Sequence, residues 1–548
     1  MTTTTVTPYR SAQSAGRDGF WSVLRAEWTK FRTLRGWLLA ALVAAALMAV
    51  LPVYLAAAAH GGSVESCTAT GCQIEGSSVA VGPGGVAVLD SFYLVHQSLS
   101  GNGSITAKVT APTGMGLLPK PKPGSPILPK TQPWAKAGII IKTSTAAGSA
   151  YAAVMLTGSH GVRMQYDYTH DVAGPGGKAA PLWLRLTRSG PSLTGYESAD
   201  GTHWTKIGTA TLPDLPATVQ GGMFVASPAA QVVNESFGGG DNMGVFPTAA
   251  TAAFSHLRLA GGWSAAAWTG SRIGGAIVSP DSPPVARPGG HSLVHVCKTC
   301  GGTVPEGYRQ TPAGFDVEGS GDIAPFVPIV DAVQVSLDGI LFGLIAMISL
   351  GALYITAEYR RGMIRTTLAA SPHRSRVLAA KAIVIGLVCF AAGLIGAAIA
   401  FPILEDKLQA GGWTGPAWPH WSLTSGIGLQ VVIGTAAIVG LSGILALAAG
   451  VITRRSSGAV AAVIGLVIVP LILGIVLPPR VADVILAITP AAAFSLQRAL
   501  PRYTQVSNAC APYHGCFPLA PWTGLAVMCA WAVLGLGLAS YLLRRRDA

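Results

Sequence analysis

The chain has 548 residues, 50% hydrophobic and 11% charged, and its apolar residues gather in six long stretches, which excludes a wholly water-soluble protein. Its formal net charge of +13 needs no nucleic acid to explain it, because much of the basic excess flanks those stretches and suits a membrane face.

Residues 1–18 are Thr-rich and expected to be disordered. Over 19–35, Phe20, Leu24, Trp28, Phe31 and Leu34 recur at intervals of 4, 4, 3 and 3, with Arg25, Lys30 and Arg32 on other faces. That spacing predicts an amphipathic helix in the headgroup layer, with Glu27, Trp28, Lys30, Arg32 and Arg35 as its candidate interfacial residues. It feeds a first span at 36–59, which is too long for a signal-peptide core and is read as retained.

A mostly polar region at 60–335 follows. Runs at 137–143, 151–157, 162–168, 183–187, 193–198, 218–226 and 252–259 are rich in β-branched and aromatic residues and are separated by Gly, Pro, Asp or Ser turns. They predict an antiparallel β-sandwich over roughly 85–262. Residues 263–325 are Gly- and Pro-rich, with Pro280, Pro283, Pro284 and Pro288, and read as an irregular return to the membrane that ends in a flexible loop at 319–325.

Five further spans at 338–357, 377–402, 427–452, 457–477 and 521–543 build a membrane core over 336–548. Between the first two of these lies a charged segment, 358–376, where Glu358, Arg360, Arg361 and Arg365 present a surface just outside the bilayer and Gly362 allows a close turn. The spans hold little charge. Asp331 and Asp338 lie at or before the outer end of span two, and Lys381, near the inner end of span three, is placed to snorkel. Gly386, Gly393, Gly396, Gly434, Gly440, Gly443 and Gly450 suit close helix packing. Residues 478–520, broken at Pro490, are neither a clean span nor a plain polar loop.

Basic residues fix the expected orientation. Lys and Arg crowd the segment before span one, the loops between spans two and three and between four and five, and the end of the chain, whereas the loops after spans three and five carry few. Both termini are therefore expected in the cytoplasm and 60–335 outside, in a multi-pass cell-membrane protein. Cys67, Cys72, Cys297, Cys300, Cys510 and Cys516 all fall in segments assigned to the outside, where an even set predicts disulfides. Local bridges Cys67–Cys72 and Cys510–Cys516 are the simplest pairing, with Cys297 and Cys300 joined to each other or crossed to the first pair; the spacing does not choose. No second half of a zinc site lies near the CxxC, so no metal is expected.

The text LRAEWTKFRTLR at 24–35 resembles the entry helix of actinobacterial ABC-2 type transporter permeases, and TAEYRRGMIRTTLAASP at 356–372 resembles the cytoplasmic segment between their second and third spans. The resemblance covers 20–59 and 330–548. It implies a coupling role toward a separate ATPase subunit for Glu358, Arg360, Arg361, Gly362 and Arg365, short re-entrant helices on the outer side within 478–520, a second permease copy as partner, and export as the direction of transport. In the polar region, PLWLRLTRSG at 181–190, LTGYESADGTHWTKIG at 193–208 and WAKAGI at 134–139 resemble concanavalin A-like lectin/glucanase domains. The expected fold class is therefore a six-helix membrane protein with an inserted all-β sandwich, a concanavalin A-like jelly roll.

No GxxxxGK[ST] loop is present, so the chain is not expected to be an enzyme or to hold a cofactor; ATP and Mg belong to the partner ATPase. The sandwich lacks the closely alternating acids of a glucanase strand, and Asp200 reads as a turn former. Trp183, Tyr196 and Trp204 are candidate ligand-binding aromatics, although such side chains more commonly fill a sandwich core. The competing reading is a membrane-anchored cell-envelope protein that binds a glycan or a partner. An anchor, however, needs one span and not six.

Overall fold

A computed structural model describes residues 19–58, 65–68, 71–74, 79–116, 128–129, 131–175, 182–234, 242–246, 248–274, 292–296, 302–328, 330–370, 373–477, 479–506 and 517–545. Helix α1 (Phe20–Thr33) is followed by α2 (Arg35–Ala58). After the β region come α3 (Ala332–Leu337), α4 (Ile340–Arg360), α5 (Met363–Ala370), α6 (Arg374–Ala410) and α7 (Gly426–Thr453). Then follow α8 (Ser456–Val467), α9 (Val469–Val476), α10 (Pro479–Ile488) and α11 (Pro521–Arg545). Among the described residues six helical stretches are long and apolar enough to cross a membrane: α2, α4, α6, α7, α8 with α9, and α11. The α8–α9 break falls where Pro470, lacking an amide hydrogen, restarts the helix at its first turn.

Glycine sets the spacing of the bundle. A Cβ on Gly351 of α4 would sit 2.5 Å from the Gly443 carbonyl oxygen of α7, and one on Gly443 would sit 2.6 Å from Cys389 Sγ of α6. One on Gly396 would meet the Met48 Cβ of α2 at 2.8 Å. These backbones touch because no side chain stands between them, which is the packing expected of the span glycines.

Within 478–520, the described residues 479–506 fold back into the bundle. Helix α10 runs beside α9, and the 3-10 turn Pro490–Gln497 is buried throughout, packed on α7 and α11. Gln497 Nε2 donates to Thr435 Oγ1 at 3.1 Å, and Gln430 Nε2 donates to the Leu496 carbonyl at 3.3 Å. Asp331 caps α3 through the Gln334 amide and accepts the Ala499 and Leu500 amides at 2.7 and 3.0 Å.

The β region holds two large antiparallel sheets with a shared core between them, formed by residues such as Ile105, Leu184, Leu186, Ile139, Val154 and Met223. One sheet runs in the order His170–Ala173, Val162–Tyr166, Tyr151–Thr157, Lys136–Lys142, Thr218–Ala226, Ala87–Ser100, Thr269–Ile273. The other runs Thr205–Thr211, Ser192–Ser198, Leu182–Ser189, Gly103–Val109, Thr248–Gly261, Gly314–Ser320, Gly302–Thr311, Ser292–Val296.

The strands do not stop at 262. Residues 269–273 and 302–325 supply further strands to both sheets, and the expected flexible loop at 319–325 is instead the end of Gly314–Ser320 and the strand Asp322–Pro325. Partners decide this: Asp322–Pro325 pairs with the start of Ala87–Ser100, and Lys136 closes a buried ion pair on Asp322. Ala80–Val81 pairs with that same start, so entry and exit of the β region lie side by side. On the outer face of the first sheet Lys142 is sealed against Asp90 at 2.8 Å, with Tyr168 Oη donating to Asp90 at 2.7 Å. Gln505 Nε2 donates to the Tyr168 carbonyl at 3.1 Å, which ties this sheet to the chain after the 3-10 turn.

Cys67 and Cys72 are register partners in the hairpin of Glu65–Thr68 and Gly71–Ile74. Their side chains, and Cys297, Cys300, Cys510 and Cys516 altogether, lie outside the described residues, as do residues 1–18.

Candidate functional site

The site begins with the face α1 turns to the bundle. Val23, Leu24, Glu27 and Phe31 share one side of the helix; Glu27 and Phe31 are buried and Val23 and Leu24 half-buried, while Trp21 and Trp28 are exposed. Phe31 meets the Tyr354 ring edge-on at 6.0 Å. An apolar face with a carboxylate at its centre is stable only if a cation meets that carboxylate.

Lys381 of α6 is that cation. Expected to snorkel, it is instead 1% exposed, with Nζ 2.7 Å from Glu27 Oε2 and 2.7 Å from Glu358 Oε1. Two carboxylates from two other helices offer its ammonium more than the headgroup layer would, and the Tyr354 ring lies 5.0 Å beneath it. Tyr354 Oη donates to Glu27 Oε2 at 3.0 Å. Lys30 completes the set at 3.0 Å from Glu27 Oε1 and 3.4 Å from Glu358 Oε1, with Thr367 Oγ1 of α5 at 3.5 Å. Two carboxylates and two ammoniums thus alternate in a neutral cluster that fastens α1, α4 and α6 together and reaches α5.

The electrostatics follow. Burial works to raise the Glu27 pKa, but Lys381 and then Lys30 outweigh it, and the carboxyl lies below its ordinary value. For Lys30 burial works downward and Glu27 and Glu358 outweigh it, so the ammonium lies above its ordinary value. Both groups are held charged.

Beside the cluster the chain turns sharply. Arg361 caps α4 through its amide to the Ala357 and Tyr359 carbonyls, and Gly362, at φ +67°, takes the left-handed conformation that starts α5. Arg360, Arg361 and Gly362 are exposed at this elbow, while Ile364 of α5 anchors it in the core. The Arg365 side chain lies outside the described residues. Arg32 and Arg35 are exposed beside the end of α1 and take no part in the cluster. Glu27, Lys30 and Glu358, drawn from two separate sequence segments, therefore meet in one place, joined by Lys381 and Tyr354, which the sequence did not single out for this role.

The aromatic candidates lie elsewhere. Trp183, Tyr196 and Trp204 are half-buried, and none belongs to the core between the sheets. They gather on the outer face of the second sheet, where the Arg185 guanidinium stacks 3.8 Å from the Trp204 ring centre. Alternation along Leu182–Ser189 sends Leu182, Leu184 and Leu186 inward, so Trp183 and Arg185 must face out. Asp200 forms the turn as expected, accepting the Thr202 and His203 amides at 2.8 Å each. Among the described residues no group of three or more His, Cys, Asp or Glu could hold a metal ion.

A family model described as "ABC-2 family transporter protein" matches residues 194–548, which takes in part of the β region and helices α3 to α11. No curated protein matches the chain. Solved structures with some likeness include a functionally unknown protein from Saccharomyces cerevisiae, at 16% identity over 32% of this chain and 76% of that one, with a TM-score of 0.17. Two peptidases are also similar in part. SCP-B of the Eqolisin family, in complex with a tripeptide, is 11% identical over 42% of this chain and 98% of its own, at a TM-score of 0.21. Scytalido-glutamic peptidase with a transition-state analogue inhibitor is 9% identical over the same shares, at 0.23.

Proposed function

Because the chain belongs to the ABC-2 transporter family and is a membrane-spanning permease component, we propose that it works as an exporter half with a separate ATPase subunit, which docks on the elbow of α4 and α5. The observation that carries this is the four-charge cluster of Glu27, Lys30, Glu358 and Lys381 directly behind that elbow. A docking surface that must pass force into the membrane needs a rigid backing. Here α1, α4 and α6 are clamped together by buried charge, while Arg360 and Arg361 are exposed and make no ion pair among the described residues, which leaves them to meet acidic groups of a partner.

In this reading the chain itself binds no nucleotide and catalyses no hydrolysis; ATP and Mg are held by the partner. Both termini and the elbow are cytoplasmic, supported by the concentration of Lys and Arg at that end, and the β region is outside the cell. A second permease copy completes the pathway. The β region is of the concanavalin A-like sandwich type, a reading supported by two antiparallel sheets packed face to face and by the hairpin turned at Asp200 and Gly201.

Replacing Arg360 and Arg361 together by Ala tests the docking. Insertion should persist, since other basic residues still mark the inner face, while co-purification of the ATPase and stimulation of its hydrolysis should fall; unchanged recruitment refutes the elbow as the docking site. Orientation has its own test. A membrane-impermeant maleimide should label Lys206→Cys but not Arg361→Cys in intact cells, and the reverse pattern refutes the topology.

A further inference from the structure

The outer face of the second sheet is more than a place for three aromatics, because pairing aligns its outward residues in rows that cross the strands. In one row Arg258 is opposite Thr106, Thr106 opposite Arg185, Arg185 opposite Tyr196, and Tyr196 opposite Lys206. In the row on one side Ser255 faces Lys108 and Lys108 faces Trp183. In the row on the other side Ser104, Thr187, Thr194 and Thr209 succeed one another. Four cations on neighbouring strands, rings between them and a line of hydroxyls thus lie on one half-open face.

Three of these cations are not spent on structure, and the fourth is only partly so. Lys108, Lys206 and Arg258 make no ion pair among the described residues, and Arg185 uses only Nε, donating to Thr106 Oγ1 at 3.2 Å, while its plane is stacked on Trp204. The three rows contain no acid. Asp200, at the hairpin, is engaged by His203 and the turn amides, and Glu197 on the strand beside Tyr196 is buried. Asp316 and Glu318, one strand further out and opposite Ala253 and Thr251, bound the face on that side.

The aromatics are set as fixed platforms. A Cβ on Gly201 would come within 2.7 Å of the Trp183 ring, so one side of that ring lies flat on the turn, and the left-handed, exposed His256 stands 5.2 Å from it. Trp204 is braced by Arg185.

We propose that this face binds a linear anionic polysaccharide of the cell envelope, its carboxylate or phosphate groups on the row of Arg258, Arg185 and Lys206 and its sugar rings against Trp183 and Tyr196. Charge complementarity selects an anionic chain, and the hydroxyl row favours a sugar polymer over a stacked-base one, because sugars offer many donors and acceptors along one edge. The inference rests on the proposed placement of the β region outside the cell.

The test uses the full chain purified in detergent and titrated calorimetrically with three probes: polygalacturonate, neutral dextran and a single-stranded oligonucleotide. Polygalacturonate should bind at least tenfold more tightly than dextran and more tightly than the oligonucleotide, and should weaken as salt is raised. Arg185→Gln, Lys206→Gln and Arg258→Gln together should lower its affinity at least tenfold, with the cooperative unfolding transition retained. The pair Lys206→Gln and Arg258→Gln, both exposed and leaving the Arg185 stack intact, should lower it about threefold. No binding by the wild type, or undiminished binding by the triple variant, overturns the site. Equal binding of dextran overturns the anionic class, and tighter binding of the oligonucleotide overturns the sugar class. The maleimide labelling at position 206 reports on placement separately, so failure there refutes the topology without touching the binding result.

Discussion

If the four-charge cluster fastens α1 to the bundle, removing one of its charges should do more harm than removing a balanced pair. Lys381→Met keeps the volume but leaves Glu27 and Glu358, 2% and 7% exposed, without the ammonium that sits 2.7 Å from each. Breaking a buried charge pair from one side costs about 3–5 kcal/mol. Lys30 remains at 3.0 and 3.4 Å and is partly open to solvent, so the loss should fall near the lower figure, about 3 kcal/mol. Glu27→Gln leaves one ammonium in excess and should cost a similar amount. The double variant leaves Lys30 and Glu358 balanced at 3.4 Å, so its loss should fall short of the sum of the singles by about 2 kcal/mol. Thermal unfolding of the purified chain in detergent ranks the variants, and cysteine accessibility at position 24, on the buried side of α1, reports whether the helix has lifted. Strictly additive losses, or a helix as protected in Lys381→Met as in the wild type, would refute the clamp.

The clamp should hold over a wide pH range. Glu27, depressed below its ordinary value of 4.5, contributes stability above that value and loses it as pH falls further, whereas Lys30, raised above 10.5, contributes below that value and loses it as pH rises further, so accessibility at position 24 should stay flat between the two. Gly362→Ala meets no atom within 4 Å but must hold φ at +67°, so it should destabilise the elbow by about 1 kcal/mol and weaken ATPase recruitment without affecting insertion, as measured by co-purification. Gly351→Ala should be worse, about 1–3 kcal/mol, because its Cβ would press on the backbone oxygen of Gly443 at 2.5 Å; the melting temperature reads this. Replacing residues 79–326 by a short Gly/Ser linker should leave an inserted bundle that still binds its ATPase, because entry and exit pair with the same strand, and failure to insert would show that the bundle needs the sheets.

Where a strand's own residues declare it, the sequence was a good guide. The strands Tyr151–Thr157 and Thr218–Ala226 lie at the expected positions, since apolar runs bounded by turn residues declare themselves. The long strand Ala87–Ser100 escaped notice because it is buried on both sides for much of its length and shows no clean alternation. Gly314–Ser320 and Asp322–Pro325 escaped for the opposite reason: their glycines and acids signal a loop, and only the partner strands and Lys136 make them sheet. Hydropathy places Lys381 at the end of a span and can say no more, because the carboxylate it meets on Glu27 lies 354 residues away in sequence. The aromatic face was legible residue by residue, but not as a surface, since which side a strand shows to solvent depends on where the second sheet packs.

Helix α4 joins the two ends of this architecture. At its start the strand Asp322–Pro325 leads from the first sheet through α3, whose Asp331 grips the Ala499 and Leu500 amides of the chain folded back into the bundle. At its end Tyr354 and Glu358 belong to the charged clamp behind the elbow. Between them 21 residues of helix span about 31 Å, and at Gly351 and Gly443 α4 packs backbone to backbone on α7. A displacement of the elbow must therefore either break the contacts of Lys381 or carry α4, α6 and α7 as one body. In the second case it reaches Asp331, the buried turn Pro490–Gln497 and the edge of the sandwich together, without any element between having to change its fold.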